Sequence, residues 1–296
     1  MINAIQSYIK ATKYNIGFVE GSLQSVVDGN PIHVNWMKHP YRDRWFADPF
    51  ILDVTDDEII VLVEEWYDLI NRGRITRLII DKETFELKNL KPLIDEGTHL
   101  SFPAVERVGD DIFIYPERAG TKLESYIYRR EKDCLEKVGL VSDLPLTDSV
   151  INDLFGQRLL FSTRLPDANG KELGIYSWDA EQESFVLKEF YHFDDNISRM
   201  AGNFFTCSGK IFRPAQVCIK SYGDAVSIQE VKHENGKWCF REVRRIYSPD
   251  PDLDLGFHTL NTYKDVIVVD AVGYRRARLC HFLRKLKGII KKWKIK

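Results

Sequence analysis

A chain of 296 residues that is 44% hydrophobic and 12% aromatic can bury one large all-β core or two average ones, which excludes a disordered or low-complexity protein. Its five cysteines are odd in number, widely spaced and without a CxxC pair, so neither a disulfide framework nor a zinc site is expected, and a reducing cytoplasm fits. The net charge of −2 hides an acidic body and a basic end: residues 271–296 hold ten Lys or Arg and no Asp or Glu, leaving 32 basic against 44 acidic residues elsewhere.

The opening stretch MINAIQSYIKATKYNIGF has no long apolar run, and no run anywhere approaches the roughly 20 apolar residues that span a bilayer, so no export signal or transmembrane helix is expected. YNIGFVE and IHVNWM read as strands. From Asn15 to Tyr274 short β-branched and aromatic runs alternate with hairpin signals such as DVTDDEI, RVGDDIF, NDLFGQR, TCSGKIF and KHENGKW. A polar or small-residue motif precedes a strand, a turn and a second strand at five places, led by Asp48, Ser101, Asp148, Asn203 and His258 in steps of 53, 47, 55 and 55 residues. That is the length of a four-stranded blade, and the sequence predicts an all-β, five-bladed β-propeller over 1–274. The fifth unit ends early, so its outer strands are expected from the N-terminal segment. Two stacked sheets would show the same alternation but give no reason for motifs to recur at this period.

Over 275–296, Leu279, Phe282, Leu283, Leu286, Ile289, Ile290 and Trp293 follow helical spacing with basic residues between them, which predicts an amphipathic basic helix. Such a helix suits an anionic membrane surface, giving a cytoplasmic protein peripheral at the inner face of the membrane; docking of the stripe on the propeller is the alternative. Nucleic acid is not expected as a partner.

Inner strands begin at one mouth of a central channel, so the lead motifs should converge there. Asp48, Glu117 and Asp148 are the candidate catalytic residues, with Asp48 as base, Glu117 as acid and Asp148 setting their charge. Pro49 biases Asp48 toward an extended backbone. Glu65, His99, Ser101, Asn203, Arg213, Gln216 and His258 are candidate substrate-binding residues, and Glu64 lies within reach of the same region. The structural alternative is that the acids satisfy buried amides or hold an ion. No ligand set demands a metal. GxGxxG, Walker, HExxH and GxSxG motifs do not occur, and no cofactor is expected.

FADPFI, VEEW followed by GRI, HLSFPAV with IYPE, TDSVI, AGN with IFRPAQ, YGDAVSIQEV and GFHTLN, in that order over residues 40–270, resemble the propeller domain at the N-terminus of plant glucosamine inositolphosphorylceramide transferases and its stand-alone bacterial relatives. The propeller is more distantly similar to five-bladed arabinanase- and xylosidase-type glycosidases, in which an acid in an ADP-like motif of the first blade is the general base; this likeness implies that role for Asp48. The plant enzymes carry a separate glycosyltransferase domain after the propeller, where this sequence has the basic segment. The resemblance therefore implies a glycan, glycolipid or lipid-linked sugar as ligand, in cell-surface polysaccharide or glycolipid biosynthesis. Two readings stay open: a glycosidase or glycosyltransferase, or a non-catalytic glycan-binding scaffold for a partner glycosyltransferase.

Overall fold

The β-branched runs do form strands. The computed structural model describes residues 11–277, 279 and 280, and within them the chain makes twenty strands in five antiparallel four-stranded sheets. It opens with β1 (Thr12–Val19), a five-residue helix α1 (Leu23–Val27) that the sequence did not announce, and β2 (Val34–Trp36). Ser22 caps α1 by accepting from the Ser25 N–H. Blade one follows as β3 (Arg44–Val54), β4 (Glu58–Tyr67), β5 (Arg72–Asp81) and β6 (Leu87–Ile94). Blade two is β7 (Leu100–Val108), β8 (Asp111–Arg118), β9 (Leu123–Arg129) and β10 (Cys134–Ser142). Blade three is β11 (Leu146–Leu154), β12 (Gln157–Arg164), β13 (Glu172–Asp179) and β14 (Ser184–His192). Blade four is β15 (Phe205–Cys207), β16 (Lys210–Val217), β17 (Ala225–Glu234) and β18 (Lys237–Ile246).

The last blade has the order β19-β20-β1-β2, with β19 (Leu260–Tyr263) innermost and β20 (Val266–Tyr274) beside it. β1 pairs with β20 from Thr12↔Tyr274 to Phe18↔Val268, so the two ends of the propeller chain complete the last blade and close the ring as expected. The C-terminal amphipathic helix expected over 275–296 falls, beyond Cys280, outside the described residues.

Apolar residues fill the spaces between blades. Phe50 of blade one meets Phe102 of blade two edge to face at 4.9 Å, and Phe161, Phe204 and Trp238 join blades three and four. Each such fully buried ring contributes about 1.5–3 kcal/mol. The hub, by contrast, is polar. Asn203 donates its side-chain amide to Val105 O at 2.7 Å, its backbone N–H donates to Asn261 Oδ1, and Asn261 donates to Pro49 O. Inner strands of blades one, two, four and five are thus tied to one another through side-chain amides.

A backbone device recurs where the inner strands start. β3, β7 and β11 each carry an irregularity, at Ala47/Phe50, Ser101/Ala104 and Thr147/Val150, and in each a non-glycine residue takes a left-handed φ: Asp48 at 50°, Phe102 at 42° and Asp148 at 48°. Such bulges re-aim side chains, and each left-handed residue costs about 1–3 kcal/mol that the surrounding bonds must offset. The extended backbone expected for Asp48 from Pro49 is corrected here: the bulge overrides the pre-proline preference because the Asp48 N–H is held by Asp270 Oδ2 at 2.8 Å.

Candidate functional site

The bulges aim side chains into a pocket of about 230 Å³ at the end of the propeller where the inner strands begin. Acids form its floor. Asp48 is 4% exposed; its Oδ2 accepts from the Phe102 N–H of the next blade, while Oδ1 has no hydrogen bond and lies 3.3 Å from His258 Nε2, out of hydrogen-bond alignment. Burial, countered by His258 and reinforced by Asp148 and Asp270, pushes Asp48 up to about 7. Glu117, at the end of β8, accepts from the Asp148 N–H at 2.9 Å and lies 3.4 Å from Arg199 Nη2. Burial and the charge of Asp148 push it up to about 8. Glu64 of β4 is raised well above the usual carboxylate range by burial and by Asp48 and Glu117.

Two cations answer these acids. His258 places Nδ1 2.7 Å from Asp270 Oδ1, and although burial opposes its charge, Asp270 and Asp48 lift it to about 9, so the imidazolium form persists at neutral pH. Arg199 donates through Nε to Asp148 Oδ2 at 2.5 Å and stacks its guanidinium over Tyr222. Burial works against the Arg199 charge, but Asp148 and Glu117 hold it firmly protonated.

One wall is aromatic. Trp45 and Trp66 are cross-strand partners on β3 and β4, stacked at 5.5 Å with 6° between their planes. Tyr14 packs on Trp45 at 5.0 Å and on His258 at 5.0 Å, and His99 tilts against Trp66 at 5.9 Å. His99 accepts from the Gly73 N–H through Nδ1, so in its neutral form, favoured by burial, the ring carries its hydrogen on Nε2, 3.6 Å from Glu64 Oε1. Indoles beside carboxylates and imidazoles offer apolar faces for sugar C–H groups and polar edges for hydroxyls.

Of the residues predicted from sequence, Asp48, Glu117, His99, Ser101 and His258 line this pocket. Asp148 stands behind Arg199, and Gln216 donates to Asp148 Oδ2 at 2.6 Å, so both act on the pocket through other side chains. Three are not brought to it. Glu65 faces the other side of β4, fully buried, where it pairs with Arg44 and Arg74 and accepts from Thr76. Arg213 is fully buried between Phe193 and Phe240, donating to Gln229 and the Ser198 carbonyl; being three residues from Gln216 on one strand, it must face the opposite way. Asn203 serves the hub. Sequence reasoning missed Tyr14, Trp45, Trp66, Arg199 and Tyr222, which line the pocket, and Asp270, which organises it. Asp270 alone left a signal, a carboxylate in the apolar strand VIVVDAV.

Asp48, His258 and Asp270 bring ligand atoms within 4.8 Å of one another, the one such group among the described residues. Within this group His258 Nδ1 is engaged by Asp270 Oδ1 at 2.7 Å, while Nε2 faces Asp48 Oδ1 at 3.3 Å.

Known proteins agree with this architecture. The beta-xylosidase RS223 superposes with a TM-score of 0.50 at 11% identity, covering 80% of this chain and 95% of that one. A family 117 glycoside hydrolase of Zobellia galactanivorans does so with a TM-score of 0.50 at 10% identity over 90% and 91%. In sequence, a glucosamine inositolphosphorylceramide transferase 1 of Oryza sativa subsp. japonica is 28% identical over 209 residues, which are 65% of this chain and 27% of that protein. The chain therefore matches about a quarter of the length of its curated relative. Residues 29–250 match the model of the family described as glucosamine inositolphosphorylceramide transferase 1, N-terminal, and the chain belongs to that family.

Proposed function

We propose that the pocket binds a neutral glycosyl unit of a glycan or glycolipid and cleaves or transfers it, with Asp48 as general base and Glu117 as general acid. The observation that carries this reading is the Asp48 carboxylate, which lines the pocket, has one oxygen free of any hydrogen bond and is pushed by burial up to about 7. Glu117, which burial and the Asp148 charge also raise, is suited to hold a proton beside Asp48, and a protonated acid paired with a carboxylate is what acid–base work on a glycosidic bond requires. His258 steadies the Asp48 charge, and the Trp45–Trp66 stack supplies the platform for the sugar ring.

A second reading, binding without turnover, is favoured by Arg199, which ties up both Asp148 and Glu117. A panel of neutral oligosaccharides, glycolipids and phosphorylated compounds separates the two by thermal shift and product analysis. Neutral glycans are expected to raise the melting temperature, and Glu117→Gln to abolish turnover while keeping binding. Stabilisation by a glycan with no product in either form leaves binding alone, and absence of any glycan-induced shift removes both readings.

A further inference from the structure

The end of the propeller that carries the pocket also carries a basic groove, on the side of blades five and one. β1 starts and β20 finishes there, since Thr12 pairs with Tyr274, and β3 begins there with Arg44 against Tyr67. The groove, about 580 Å³, is lined by Lys13, His39, Arg42, Arg44, Arg275 and Arg276 among others, and by no acidic residue. Arg44 and Arg275 are answered by Asp43, Glu65 and Asp68. Lys13 and Arg42 are exposed and have no acidic partner among the described residues. The positive field is felt by His39, which burial, then Lys13 and Arg44, hold down at about 4.

Apolar groups stand on the same rim. Arg275 grips both oxygens of Asp68, at 2.6 and 2.7 Å, which fixes the turn carrying Leu69, 80% exposed, and the exposed Tyr41 and Leu279 each line a pocket that Arg275 also lines. Cations flanked by exposed leucine and tyrosine match the headgroup layer of an anionic bilayer, where phosphates meet the first acyl carbons. A soluble acidic protein would use the cations and leave Leu69 without a role. The sequence continues from this groove into residues 278–296, with eight more Lys or Arg and no acid. The far end of the propeller is acidic at its hairpin turns, with Asp56, Asp57, Asp110 and Asp111, which orients the molecule in the field of such a surface. On the pocket-bearing end Asp194 and Asp195 lie in the connection between blades three and four, and Asp250 and Asp252 share a neighbouring pocket with Lys13, Arg275 and Leu279, so contact falls to the sector of the groove where Tyr41, Arg42 and Lys13 stand without acids.

We propose that this sector docks on an anionic phospholipid surface, Lys13 and Arg42 meeting the lipid phosphates and Leu69, Tyr41 and Leu279 entering the interfacial layer, so that the pocket opens beside the bilayer. The test uses the full chain and vesicles of phosphatidylglycerol with phosphatidylcholine, against phosphatidylcholine alone. The wild type should bind the anionic vesicles and release them at high salt. Lys13→Glu with Arg42→Glu should weaken binding at least tenfold with an unchanged melting temperature, Leu69→Ser severalfold, and Lys237→Glu at the far end not at all. Asp48→Asn should bind vesicles like the wild type, which keeps this outcome separate from that of the sugar pocket. On vesicles, hydrogen exchange should slow at 38–45 and 67–71. Unchanged affinity of the folded double variant, protection confined to the far-end hairpins, or displacement by millimolar inorganic phosphate, which would mark a discrete anion site, overturns the proposal.

Discussion

Replacing Asp48 by Asn tests the charge state on which the pocket depends. The side chain keeps its shape and an oxygen to accept from the Phe102 N–H, but it cannot ionise. In the unfolded chain Asp48 titrates near 3.8, and in the fold near 7, because burial disfavours its charge. A raised acid destabilises as pH rises: below 3.8 both states are protonated, and above it the unfolded state ionises first, so stability falls until the folded carboxyl also ionises near 7. The slope is about 1.4 kcal/mol per pH unit, and the whole loss about 4 kcal/mol. The variant lacks this term. Relative to wild type its unfolding free energy should therefore climb by about 2–3 kcal/mol between pH 5 and pH 7 and then level off. Urea unfolding followed by tryptophan fluorescence at half-unit pH steps gives the difference directly. A flat difference across that range would show that Asp48 is ionised throughout, and its role as a base poised near neutrality would fall with it.

Two further substitutions probe the framework. Glu65→Gln leaves Arg44 and Arg74 without their buried carboxylate and should cost about 3–5 kcal/mol, read as a lower urea midpoint at unchanged slope, with the pocket's pH dependence intact; a loss under 1 kcal/mol would mean that solvent takes over the pairing. Gly73→Ala puts a methyl group 2.6 Å from the Leu100 carbonyl oxygen and 2.5 Å from Glu64 Oε1. Since the backbone oxygen cannot swing away, we expect a cost of about 1–3 kcal/mol and a displaced Glu64 and His99, seen as weakened sugar binding; a variant with wild-type stability and affinity would contradict the close approach.

The ring was legible in the sequence because strands and turns recur at a fixed period and because inner strands share their starting end, which is why Asp48, Asp148 and His258 could be brought together from 210 residues of chain. What stayed hidden has two physical causes. Faces are one: Glu64 and Glu65 are adjacent and differ only in which side of β4 they take, and Arg213 and Gln216 are split by the same alternation. The bulges are the other. In blade two the left-handed residue is Phe102, one place beyond the expected leader Ser101: the three bulges pass over equivalent positions, and a phenylalanine where the other two strands carry an aspartate hid the equivalence. Arg199 and Tyr222 arrive from connections between strands, where no periodicity guides the eye.

Charge balance argues for the kind of ligand the pocket takes. Asp48, Glu64, Glu117, Asp148 and Asp270 gather around two cations, His258 and Arg199, and both cations already hold carboxylates. Full ionisation would leave an excess of three negative charges in a buried site, so protons are retained on Glu64 and Glu117 instead, as their raised pKa values express. A phosphate or pyrophosphate entering this site would add charge where acids already repel one another, whereas a hydroxyl-rich neutral ring brings no charge and can exchange hydrogen bonds with the carboxyls and imidazoles that line the pocket. Any phosphate belonging to the same ligand is better met outside the pocket, at Lys13 and Arg42, which stand on the same end of the propeller with no acidic partner among the described residues. On the two proposals made above, the sites are complementary in charge, the pocket taking a neutral sugar and the groove the anionic surface from which a sugar headgroup would project.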